Sequence, residues 1–94
     1  MLSLPVKLTH DDAQALALSL KSQIRAQPHD IVVGAQQLRE FDSSALAVLL
    51  ACRREAIAAG KKFSTSQLPS TLVQLAALYG VGQLLGSDQS PQQI

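Results

Sequence analysis

The chain has 94 residues, enough for one domain with little room for a second. With one Tyr, two Phe and no Trp among 47% hydrophobic residues, the core must come from Leu, Val, Ile and Ala, and rings for stacking nucleic-acid bases are scarce. The formal net charge is +1, and the densest basic pairs are Arg53-Arg54 and Lys61-Lys62. No clustered phosphate-binding face is therefore expected, which argues against nucleic acid as a partner.

Leu2 to Leu8 read as a short strand, which Pro5 confines to a sheet edge. Thr9 follows as a helix N-cap with Asp12 three residues on, and Asp11 and Asp12 both suit the positive end of a helix dipole. Ala13, Leu16, Leu20 and Ile24, with Ala17 beside them, recur at helical spacing until Pro28, leaving Gln14, Lys21 and Arg25 on the polar side. Asp30 to Ala35 holds the β-branched run Ile31-Val32-Val33 and reads as a buried central strand. Gln36 to Asp42, which includes Leu38 and Phe41, reads as a polar connection. A second helix is expected from Ser44 to Ala59, stopped by Gly60 as its C′ residue.

Lys62 to Ser66 is polar enough to suit an edge strand. Pro69 fits the first position of a third helix whose stripe is Leu72, Leu75, Ala76 and Tyr79, with Gly80 capping its end. After Gly86 the composition turns polar, and residues 87–94 are expected to form a loose tail behind a domain spanning 1–86. Strand and helix alternate, which predicts a single α/β domain with a small, mainly parallel or mixed sheet and about three helices.

The informative segment is Phe41-Asp42-Ser43-Ser44-Ala45-Leu46. Asp42, Ser43 and Ser44 are three N-cap residues in a row, more than one cap requires. Capping alone is one reading of the cluster. The other comes from Ala45 to Cys52, which lacks any polar residue, although a helix on a sheet needs only a stripe to be apolar. At 100° per residue Leu46, Leu49, Leu50 and Ile57 share one face, expected on the sheet. Ala47, Val48 and Ala51 point away, so a rear apolar face is expected to be open to a partner.

Asp42-Ser43-Ser44-Ala45-Leu46, following a short strand and opening a helix, resembles the signature of STAS domains. Gly60-Lys61-Lys62, Leu68-Pro69 and Leu75-Ala76-Ala77-Leu78-Tyr79-Gly80-Val81 extend the resemblance, the last run being similar to MlaB-type members in particular. It spans roughly Asp30 to Leu85 with the family's spacing, and more loosely the first strand and helix. The usual Gly of the motif is Ala45 here, a mild change because a helical φ is open to Ala. The N-terminus is short against the family pattern, which predicts a clipped first strand or hairpin.

The resemblance implies a fold and a role. Ser43 matches the position phosphorylated in anti-sigma-factor antagonists and the hydroxyl residue that contacts the partner in MlaB-type proteins, and Asp42 matches the acidic residue before it. A phosphate on Ser43 would meet helix N–H dipoles yet put about two negative charges into a docking surface. The implied function is a non-enzymatic subunit binding the cytoplasmic ATPase of a phospholipid-transporting ABC complex. The alternative is an anti-sigma-factor antagonist facing a serine-kinase anti-sigma factor. A homodimer burying the apolar helix face is a third reading.

The remaining residues add little chemistry. His10 and His29 have no carboxylate or thiol at ligand spacing, so neither a metal nor a cofactor is expected. Cys52 reads as a small core residue, and Arg53 falls near the face of Leu46, Leu49 and Leu50, where it would either snorkel or meet the partner. No Gly-rich phosphate loop, HExxH, CxxC or nucleophile elbow is present, and Ser43 has no evident general base. A lone cysteine, no visible signal peptide and no apolar run near the roughly 20 residues of a membrane span predict a soluble, cytoplasmic protein, attached to a membrane only through its partner.

Overall fold

Pro5 decides how the chain starts. Without an N–H it cannot continue a ladder, and the strand expected over Leu2–Leu8 is two short ones, β1 (Leu2–Ser3) and β2 (Lys7–Leu8). The computed structural model describes residues 2–85, so the expected tail over 87–94 lies outside the described residues. β1 pairs in parallel with β3 (Ile31–Gly34), and β2 pairs in parallel with β4 (Glu40–Phe41). Between the two pairings Leu4 N–H donates to Gly34 O at 2.8 Å, and the N–H groups of Arg39 and Glu40 both donate to Val6 O. β4 sits in the segment expected as a polar connection. It is strand because β2 offers it backbone partners, which composition does not reveal.

β5 (Phe63–Ser66) pairs in parallel with the other side of β3, giving the order β1-β3-β5. β3 is central as expected, but it is covered on one face. Ile31 and Val33 are buried, while Val32 is 36% exposed on a face shared with Ser3, Ser64 and Ser66. Those serines require no cover, so the sheet can leave that side to water.

Three helices connect and close the strands: α1 (His10–Ala26), α2 (Ser44–Ala58) and α3 (Ser70–Leu78), followed by a 3-10 turn at Gly82–Leu85. α1 begins where Thr9 donates its N–H and its hydroxyl to the Asp12 carboxylate at 3.3 and 3.2 Å. Its expected stripe is in place, with Leu20 and Ile24 fully buried and Ala13, Leu16 and Ala17 half-buried. Gly60 and Gly80 both adopt φ +75°. There they complete paired closures at the ends of α2 and α3, Gly60 N–H to Ile57 O with Lys61 N–H to Ala56 O, and Gly80 N–H to Ala77 O with Val81 N–H to Ala76 O. A left-handed residue at that position favours glycine. Pro69 is the N-cap of α3, one place before its expected position. Tyr79, expected on the α3 stripe, lies beyond the last helical residue and is 58% exposed.

α2 is rolled relative to expectation. Its buried residues are Ala45, Leu46, Val48, Leu49, Cys52 and Ala56, a sector centred on the 45, 49, 52, 56 row instead of on Leu46, Leu49, Leu50 and Ile57. Ile57 is 51% exposed and Val48 is 2% exposed. The cause is α1. The two helices make the most extensive contact between elements in the protein, so α2 must be apolar toward both the sheet and its neighbour. Val48 therefore belongs to the core, and the expectation that it lines an open rear face is corrected. Burying side chains such as Leu46, Val48 and Leu49 stabilises by roughly 1.5–3 kcal/mol each.

The buried Thr65 side chain donates to no acceptor among the described residues. Thr65→Val is expected to raise unfolding free energy by about 1 kcal/mol, because an unmade buried hydrogen bond is replaced by an isosteric methyl. Val48→Ala is expected to cost about 2 kcal/mol, while Ala47→Gln, one residue away and exposed, stays within about 0.5 kcal/mol. Urea denaturation of the three variants measures both expectations.

Candidate functional site

The start of α2 separates into a structural residue and a free one. Asp42 Oδ1 accepts the Ser44 N–H at 2.8 Å, and the Asp42 carbonyl accepts the Ala45 N–H at 3.0 Å. Asp42 is thus the residue that caps α2. Its second carboxylate oxygen accepts the His10 N–H at 3.1 Å, the first residue of α1. One side chain serves the starts of two helices. The Ser44 and His10 N–H groups, in that order, hold the Asp42 carboxyl below its ordinary value of 3.8.

Ser43 already has helical dihedrals, φ −63° and ψ −14°, and its side chain makes no capping bond. It is exposed, and Ser44 beside it is half-buried. Capping therefore accounts for Asp42 and not for the whole cluster. Of the residues expected to form the rear face, Ala47 is exposed and Ala51 is half-buried, while Val48 lies beneath them.

The site also includes residues that the sequence did not single out. A cleft of about 380 Å³ runs between the N-terminal halves of α1 and α2, with Ala13, Ala17, Ala47 and Val48 as its apolar lining and His10, Asp11, Gln14 and Ser44 as its polar lining. Sequence reasoning placed His10 and Asp11 at a helix start. The missing step was that parallel crossovers set the starts of α1 and α2 side by side.

A larger cleft of about 560 Å³ lies past the ends of β3 and β5, lined in part by Gln36, Arg39, Gln67 and Thr71. Its charged side chain, Arg39, donates to the carbonyls of Gln36 and Leu38. Burial pushes the Cys52 thiol up to about 11, which fits an inert core residue. Arg53 is half-buried, and His10 and His29 are exposed. No group of three or more His, Cys, Asp or Glu side chains able to hold a metal occurs among the described residues. Among the same residues no helix is long and apolar enough to cross a membrane.

A family model described as "Mlab, STAS domain" matches residues 1–86 of the chain. No curated protein and no solved structure matches it.

The shared cap should show in acid. A carboxyl whose folded pKa is depressed contributes stability above its unfolded pKa and loses it as pH falls through the folded value. Stability is therefore expected to decline from about pH 4 downward. Asp42→Asn should lower Tm at pH 7 and flatten that acid decline, as thermal melts between pH 2 and 7 would record.

Proposed function

The chain belongs to the family of MlaB-type STAS domains, and we propose that it is the MlaB-like interaction subunit of a phospholipid-transporting ABC complex. In this role it binds the cytoplasmic ATPase and supports its assembly or activity without catalysing a reaction itself. Membership in the family supports a protein-interaction role in general terms. The observation that carries the finer reading is the exposed Ser43 hydroxyl, which the α2 cap does not use.

The docking surface in this reading is the helix tip Asp42, Ser43 and Ser44 together with Ala47 and Ala51. Val48 lies beneath that surface, almost wholly buried, and reaches only the floor of the cleft between α1 and α2. Asp42 contributes by fixing the direction of the tip, since both its oxygens accept in-chain N–H groups. Small side chains at Ala47 and Ala51 let a partner element approach the helix closely. Such a protein would sit in the cytoplasm, held peripherally at the inner membrane through the ATPase.

An anti-sigma-factor antagonist would use the same hydroxyl as its phosphorylation site, and the free Ser43 side chain suits that reading too. The test separates the two. With the purified ATPase subunit of a phospholipid-transporting ABC complex from the same organism, Ser43→Glu is expected to weaken binding at least about tenfold, because it puts a charge into a desolvated contact. Its Tm should match that of the unaltered protein. Calorimetric titration measures the first and a thermal melt the second. Unchanged affinity for Ser43→Glu, or stoichiometric phosphorylation of Ser43 by a neighbouring serine kinase with no ATPase binding, would overturn the proposal.

A further inference from the structure

The α1–α2 cleft has a chemistry that selects its occupant. Its lining carries Ala13, Ala17, Ala47 and Val48, and small side chains at three of the four positions leave it open. At about 380 Å³ it stands at the low end of ligand-sized clefts, roughly 300–1,000 Å³. No Lys or Arg side chain lines it.

Among the described residues three aspartates stand at this end of the protein, and one of them is unspent. Asp12 accepts from the Thr9 N–H and hydroxyl. Asp42 accepts from His10 and Ser44. Asp11 lines the cleft and has neither hydrogen bond nor ion pair among the described residues. Helix starts normally favour anions. Here Asp12 already compensates the pole of α1, and Asp42 compensates the poles of both helices. A further anion would meet carboxylates, whereas a cation would meet the free one.

We infer that the cleft between α1 and α2 seats a cationic side chain with an aliphatic stem, an arginine or lysine of the docked protein, its methylenes on the Ala-Val floor and its charge at Asp11. This is how long basic side chains partition between apolar surface and a polar rim. The inference rests on the reading of the α2 tip as a docking surface and names the partner's chemistry there. It places one wall of the interface on α1, and it makes the interaction salt-sensitive.

Two measurements test it. In the first, the purified ATPase subunit is titrated into the full chain carrying Asp11→Lys or Gln14→Lys. Each is expected to weaken binding roughly tenfold, and reversal of one basic residue on the ATPase to Glu should restore binding to Asp11→Lys. Gln14 takes no part in the α1 cap, so its variant guards against a folding artefact, which melts of both proteins would reveal. In the second, no ATPase is used: Ala-Arg-Ala, Ala-norleucine-Ala and Ala-Glu-Ala peptide amides are titrated against methyl signals of Ala13, Ala17, Ala47 and Val48. Saturable shifts with the arginine peptide, and weaker ones with the other two, support the inference.

The outcomes are distinguishable. If the unaltered chain fails to bind the ATPase, the partner reading falls, and the peptide series still decides the chemistry of the cleft. If the unaltered chain binds and Ser43→Glu abolishes binding while Asp11→Lys and Gln14→Lys do not, docking is confined to the α2 tip and the inference is overturned. Equal shifts from all three peptides, or none from any, overturn it as well.

Discussion

The Asp42 carboxylate offsets the repulsion between two helix starts that apolar packing brings side by side. In an all-parallel arrangement every crossover helix runs the same way, so α1 and α2 lie with like poles adjacent. Side-by-side macrodipoles of that kind repel, with partial positive charge at both starts and partial negative charge at both ends. At the starts, one carboxylate accepts from His10 and Ser44 and so serves both poles. At the other end cations do the matching work. Lys61 Nζ donates to the Ile24 carbonyl at 2.5 Å and to that of Gln27, closing α1. Arg25 pairs with Glu55 at 2.6 Å across the two helices. The Arg25 hydrogen bond draws the Glu55 carboxyl below its ordinary value. With the guanidinium well exposed, that pair adds little stability by itself.

From this pairing the character of the proposed docking end follows. Because Asp42 caps α2, Ser43 and Ser44 are released from the usual work of serines at a helix start. Because α1 packs against α2, Val48 is drawn into the core and the cleft between the helices opens at their N-terminal ends. Ser44, the small-residue floor and the unspent Asp11 then line one cleft. A phosphate on Ser43 would stand beside the Asp42 carboxylate, whose charge already offsets the positive pole that would otherwise attract it. Phosphorylation here would act mainly by repulsion and desolvation at an interface and only weakly by bonding to the helix.

The polar sheet face fits the same economy. With aliphatic side chains on one side of β3 and the serines of β1 and β5 on the other, the described residues enclose one core on a single face of the sheet. Small domains bury a modest fraction of their surface, and a one-sided sheet lets a few leucines and valines do the whole task. The parallel ladders survive their shortness because β1 and β2 act as two segments of one bent edge, joined by the hydrogen bonds on Leu4 and Val6.

Local chemistry made much of this legible from the residues alone. Thr9 with Asp12 marked the start of α1, Pro28 bounded its end, Gly60 and Gly80 marked left-handed closures, and the Asp42–Leu46 run carried both the helix start and the family resemblance. Each is a short-range signal, in which a residue's own backbone preference or an i to i+3 contact decides the outcome. The misread features depend on neighbours distant in sequence. β4 is strand only because β2 lies beside it, and α2 is rolled because α1 claims Val48. Asp42 bridges to a residue 32 positions away, and the cleft exists only where two helix starts meet. Periodicity can show that a helix has too much apolar surface for one contact, but which second contact absorbs the excess is settled by packing.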